Sequence, residues 1–201
     1  MPSLTADSRR PRVTGDRENE LLDATLRALA EVGYDRLTMD HVAAEARASK
    51  ATLYRRWSTK AELVIDAISR AKGMPDAAIP DTGTLRGDLL AAACGKAGWT
   101  AKLPMSVLGG VMTALHTDEE LSAAFRERFL APRMKAARAM FDRARERGEI
   151  PDDVDVELLQ TVLPSMCSHH EFVLGHTIDH TFVRRVIEHV VIPAACHTDH
   201  A

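Results

Sequence analysis

What most constrains the fold of this 201-residue chain is an apolar period of three and four residues that recurs from Glu18 almost to the C-terminus. That period lines apolar side chains along one face of an α-helix, and no strand-like alternation replaces it anywhere. Leu22, Leu26, Leu29 and Val32 predict a first helix, closed by Gly33 in the left-handed position that follows a helix end. Thr38 is expected to cap a second, short helix with Asp40 in its first turn and Val42, Ala43 and Ala46 on its apolar face. Ser49 is placed to cap a third helix reaching Trp57. Thr59 to Glu62 forms a capping box for a fourth, which carries Leu63, Val64, Ala67, Ile68 and Ala71.

The loop Gly73 to Gly83, with two prolines and two glycines, divides the chain. Beyond it, helices are expected near 84–99, 104–116, 118–147, 156–175 and 182–195, with Pro132 ending or kinking the third and Pro164 kinking the fourth. The fold class is therefore all-α, about nine helices in two domains, 17–72 and 84–201. Residues 1–16 read as a disordered arm, and its Arg9, Arg10 and Arg12 either have no role of their own or reach into a minor groove.

Composition narrows the function. No apolar run approaches the ~20 residues that span a bilayer, and the N-terminus lacks the apolar middle of a signal peptide, so a cytoplasmic protein is expected. Cys94, Cys167 and Cys196 are odd in number and widely spaced, which fits neither a disulfide framework nor a zinc ribbon. The net charge of −3 conceals an asymmetry: residues 1–72 carry +2 and residues 73–201 carry −5. Within the positive part, Arg47, Lys50, Arg55, Arg56 and Lys60 stand in a stretch without an acid. A local positive patch on an acidic chain implies a local anionic partner.

Two short helices joined by a tight turn, the second one basic, describe a helix-turn-helix whose second helix enters the major groove. On that helix Leu53 and Trp57 share a face and pack on Val42 and Leu63, turning Ala51, Thr52 and Arg55 outward, with Tyr54 and Arg56 on the flanks. Arginine suits a guanine edge, while tyrosine and threonine hydroxyls suit phosphate oxygens. Lys60 sits in the first turn of the fourth helix, where a cation is unfavourable by roughly 0.3–1 kcal/mol and a phosphate would offset the cost.

The stretch LTMDHVAAEARASKATLYRRWSTKAEL, residues 37–63, resembles the signature of the TetR family of bacterial repressors. The resemblance extends over roughly residues 18–72. It implies an all-helical homodimer with an N-terminal three-helix helix-turn-helix DNA-binding domain. The C-terminal domain would bind a small-molecule inducer and dimerise through its last two long helices, with no cofactor. By position, Thr38 and Met39 start the second helix; Ser49, Lys50, Ala51, Thr52, Arg55 and Arg56 belong to the recognition helix; Tyr54 and Lys60 fall where the family grips phosphates. Arg47 stands in place of the usual turn glycine and Ala48 in place of the usual valine. If that turn needs a positive φ, Arg47 is strained; if it is only tight, Arg47 adds a phosphate contact. Trp57 replaces a phenylalanine and fills more core.

The second domain offers weaker signals. Trp99, Met105, Leu108, Met112, Phe125, Phe129, Met134, Met166, His170 and Phe172 are candidates to line an inducer pocket, with ordinary core packing as the competing role. Leu158, Val162 and Met166, then Val183, Val186, Ile187 and Val190, are candidates for a four-helix dimer interface. Seven of the nine histidines lie at 169–200, and solvent-facing or interface roles are expected of them in preference to a metal site. Cys167 lacks cationic neighbours apart from those histidines, so a redox switch is not expected. No nucleophile motif, phosphate loop or carboxylate pair marks an enzyme. The expected function is a ligand-responsive regulator that binds a palindromic operator as a dimer and is released by a small hydrophobic inducer. The alternative is a degenerate relative acting through protein or metal binding.

Overall fold

The structure, a computed structural model, describes residues 14–73, 79–95, 103 and 105–196. Among these residues there are nine helices and no strand, as the periodicity predicts. Helix α1 spans Thr14–Arg36, so it begins inside the stretch expected as an arm. Arg9, Arg10 and Arg12, expected in that arm, lie outside the described residues. Gly33 breaks α1 near its end with φ 74° and ψ 165°, a region essentially closed to any residue with a Cβ. Helix α2 is Met39–Glu45, α3 Lys50–Tyr54 and α4 Lys60–Ala71. Their starts are fixed by hydroxyls that accept a backbone N–H one turn on: Thr38 from His41, Ser49 from Thr52 and Thr59 from Glu62. His41 completes a capping box in the role usually taken by Glu or Gln, its Nδ1 accepting the Thr38 N–H at 3.2 Å.

After the loop come α5, Leu85–Cys94, and α6, Met105–Ala114. Helix α7 occupies 119–146 and is capped by Asp118. It does not end at Pro132. Its register widens to π over Phe125–Leu130, just ahead of the proline, and the helix then resumes at Ala131. A proline that cannot bond the carbonyl four residues back is accommodated where the register has already loosened. Helix α8 occupies 156–173, runs through Pro164 and widens in the same way at His169–Val173. Helix α9 occupies 180–196.

Two apolar cores hold these helices, and they do not divide at the loop. The first joins α1–α4 to α6 and the start of α7, burying Trp57, Leu53, Leu63, Val111 and Leu121 almost completely. The second joins α5, the second half of α7, α8 and α9 around Phe141, Ile187 and Cys167. Helix α7 thus enters both cores, and any tilt of it is felt in both.

Candidate nucleic-acid interface and ligand cavity

The turn between α2 and α3 is built by Arg47. Its N–H donates to the Ala44 carbonyl at 3.1 Å, and the Ala48 N–H donates to the Ala43 carbonyl at 2.8 Å, the paired bonds of a helix end that needs a left-handed residue between them. Arg47 has φ 48°, the sole positive value at a non-glycine position among the described residues. Of the two alternatives for this turn, the strained one holds. Arg17 supports it from α1, donating to the carbonyls of Ala46 at 3.1 Å and Arg47 at 3.4 Å.

Leu53 and Trp57 are buried, as their spacing requires, and leave Lys50, Ala51, Tyr54, Arg55 and Arg56 exposed, with Ser49 and Thr52 joined at 2.9 Å through their hydroxyls at the rim. The helix proper stops at Tyr54, short of the predicted Trp57, so Arg55 is its C-terminal cap and Arg56 lies in the following turn. The cations of this face differ in what they already hold. Lys50 pairs with Asp40 at 2.7 Å and Arg56 with Glu18 at 2.6 Å, on exposed surface where such pairs are worth about 0–1 kcal/mol and yield readily to a phosphate. Arg47 and Arg55 have no such partner among the described residues. Thr38 is exposed, whereas Met39 is buried, 6% accessible, and belongs to the core and not to a DNA contact.

Lys60 also departs from expectation. Its Nζ donates to the Tyr34 carbonyl at 3.0 Å and lies 4.0 Å from the centre of the Tyr34 ring. The protein itself therefore offsets the charge at the start of α4, and no phosphate is required for it. Tyr34 is the hub of a second link. Its hydroxyl donates at 3.0 Å to Asp118, the cap of α7, and burial followed by that bond holds its pKa well above the usual phenolic range. A parallel link runs from Trp57, whose Nε1 donates to Asp66 at 2.8 Å, to Arg128 of α7, which grips the two Asp66 oxygens at 3.0 and 2.8 Å. Neither link to α7 has a local sequence signal, because Tyr34 and Asp118, and Asp66 and Arg128, are far apart in the chain.

A cavity of about 730 Å³ opens between the two cores. Ile68 of α4 and Lys72, its C-terminal cap, form one wall, and Leu108, Met112, Phe125, Phe129, Met134, Phe141, Leu163 and Phe172 contribute to the others. Leu108, Met112, Phe125, Phe129, Met134 and Phe172 were thus legible as lining residues. Met166 and His170 are not among them: Met166 is 37% accessible on the outer surface, and His170 stacks on Phe182 with ring centres 3.7 Å apart. Trp99 lies outside the described residues, and so does the side chain of Met105. Periodicity missed the polar members Arg133, Gln160 and Glu171, which sit among similar residues in the sequence.

Of the candidates for a dimer surface, Leu158, Met166 and Val190 are exposed, at 61%, 37% and 37%, and Val162 is partly buried. Val183, Val186 and Ile187 are not available: all three are buried in the chain's own second core. Exposed Val173 and Leu174 extend the outer face of α8. Among the described residues no group of three or more His, Cys, Asp or Glu is arranged to hold a metal ion, and no helix is long and apolar enough to cross a membrane.

This arrangement has known counterparts. The family model described as bacterial regulatory proteins, tetR family, matches residues 21–67, and that of the tetracyclin repressor-like C-terminal domain matches residues 79–190. The chain belongs to the TetR family. It is 38% identical to the DNA-binding transcriptional repressor TetR of Mycobacteroides abscessus, over 88% of this chain and 92% of that one. It is 36% identical to an HTH-type transcriptional regulator of Mycobacterium tuberculosis, over 92% and 90%. A solved TetR family transcription regulator superposes with a TM-score of 0.67 at 31% identity, covering 90% of this chain and all of that one. TetR family proteins are transcriptional regulators, not enzymes, and in this member the family's helix-turn-helix is α2, the Arg47 turn and α3.

Proposed function

We propose that the chain is a repressor that binds a palindromic operator as a homodimer and lets go of it when a small, mainly hydrophobic effector fills the cavity. Arg55 reads base edges; Arg47, Tyr54, Lys50 and Arg56 hold phosphates, the last two by exchanging their surface carboxylates. The dimer forms through the outer faces of α8 and α9, where Leu158, Val162, Met166 and Val190 leave apolar surface against water. Dimerisation sets two α3 helices about 34–36 Å apart, the spacing of successive major grooves.

One observation carries the reading: the cavity wall includes Ile68 and the C-terminal cap Lys72 of α4, the helix that leads out of the DNA-binding half. An occupant pressing on α4 and α7 also acts on Asp66 and Arg128, and through Asp66 on Trp57 beside the recognition helix. A compound that prefers a conformer with another α3 separation lowers operator affinity by its differential affinity for the two states. The test is a screen of small hydrophobic compounds for those that raise the melting temperature and weaken operator binding, followed by amide exchange. Protection confined to α4–α8 supports the proposal. Protection over residues 38–57, with the compound displacing DNA directly, overturns it.

A further inference from the structure

The arginines of α7 and of its C-terminal cap, Arg147, are unequal. Arg128 pairs with Asp66 and Glu62, Arg138 with Asp142, Arg143 with Asp88, Arg145 with Asp142 and Arg147 with Glu149. Arg126, on the exposed side, donates to the Ser122 hydroxyl. Arg133, which faces the cavity, has no carboxylate partner among the described residues. Its Nη1 donates to the Phe129 carbonyl at 2.8 Å, its Nη2 to the Gly73 and Ser69 carbonyls at 2.6 and 3.5 Å, and its guanidinium lies 3.7 Å from the centre of the Phe129 ring. These bonds leave further N–H donors on the guanidinium without an acceptor.

A partly buried guanidinium held only by neutral groups is a position of unbalanced positive charge. Burial lowers its pKa to about 10, which still leaves it charged at neutral pH. Lys72 and Glu171 stand in the same cavity wall, where burial lowers the Lys72 pKa and the Glu171 carboxylate opposes that lowering. Among the described lining residues one carboxylate, Glu171, stands against two cations, Lys72 and Arg133, which leaves one positive charge in excess. Nearby Gln160 also lines the cavity, and its buried Oε1 has no hydrogen-bond partner among the described residues. Most of the other described lining residues are apolar, from Leu108 and Met112 to Met140 and Leu163, with Thr161, Ser165 and Ser168 adding hydroxyls.

We propose that the cavity takes an amphipathic monoanion, an alkyl or aryl carboxylate in chemical class, with its acid group on Arg133 and its apolar body against α6, α7 and α8. This rests on the cavity being the effector site and adds the charge of the effector. The same guanidinium holds the carbonyls of Ser69 and Gly73 at the C-terminal end of α4, so an acid group taken up there competes with the end of the helix that leads to the DNA-binding half.

The experiment compares three probes of equal chain length, decanoate, decan-1-ol and methyl decanoate, by calorimetric titration of the full chain at pH 7.5. Wild type is expected to bind decanoate about tenfold or more tighter than either neutral probe. Arg133→Met is expected to bring decanoate to within about twofold of decan-1-ol while leaving decan-1-ol unchanged, and Arg133→Lys to restore most of the preference. Neutral probes binding wild type as tightly as decanoate would overturn the anionic class and leave the cavity as an effector site. Absence of binding by all three would overturn both. If Arg133→Met does not fold, the wild-type comparison alone still decides.

Discussion

Replacing Arg47 separates the cost of its backbone from the use of its charge. At φ 48° a residue with a Cβ pays roughly 1–2 kcal/mol for the left-handed conformation, and glycine gives back about 0.5–1 kcal/mol of that through its freer unfolded chain. Arg47→Gly should therefore stabilise the protein by about 0.5–1 kcal/mol. For a chain of this length that raises the melting temperature by about 1–4 °C, measured by far-UV circular dichroism at one fixed protein concentration. Arg47→Ala keeps the Cβ and the strain, and should melt within about 0.5 kcal/mol of wild type. Both variants remove the guanidinium, so both should lose DNA affinity to the same extent and flatten the salt dependence by about one phosphate contact. If Gly and Ala melt together, the left-handed position carries no strain and the reasoning fails. If they keep wild-type salt dependence, the phosphate role of Arg47 fails separately.

Three further outcomes follow from the geometry. Leu158→Glu and Met166→Glu, on the outer face of α8, should weaken self-association at least about tenfold by sedimentation without unfolding the chain, whereas Val183→Glu, in the core, should abolish folding; monomeric wild type, or unaltered association, contradicts the interface. Arg55→Ala should change which bases are preferred, while Tyr54→Phe should weaken binding to all sequences about equally; uniform loss for Arg55→Ala removes its base-reading role. Burial pushes the Cys167 thiol up to about 12, so at pH 8 only about one molecule in ten thousand carries a thiolate there. Exposed Cys196 should take up iodoacetamide in the native protein while Cys167 stays unmodified, and equal labelling of the two would show that the second core opens freely.

Sequence reading succeeded where the determinants are local. The caps at Thr38, Ser49 and Thr59 act within one turn, and the period that buries Leu53 and Trp57 is written in nearby residues, so the starts and the buried face of the helix-turn-helix were legible, although α3 ends at Tyr54 and not at Trp57. Its limits are equally physical. Helix α9 is apolar on more than one side, and the sequence alone does not say that Val183, Val186 and Ile187 turn inward while Val190 stays out. Met39 shows the same ambiguity at a helix start. The bond from Lys60 to Tyr34 crosses 26 residues, and nothing near either residue announces it. Arg133 stands in a run of arginines whose sequence environment is uniform; only the placement of α4 and the loop end distinguishes it. Pro132 and Pro164 pointed to a break or a kink, whereas the helices run on through both, with π segments before the one and after the other.

The most direct test of the central claim is selection of binding sites from random duplex DNA by the purified protein, with affinity for the selected site measured at two salt concentrations. The account predicts a two-fold symmetric site with half-sites one helical turn apart and a steep loss of affinity as salt rises. No enriched site, with weak binding that disappears at moderate salt, would contradict operator recognition by α3.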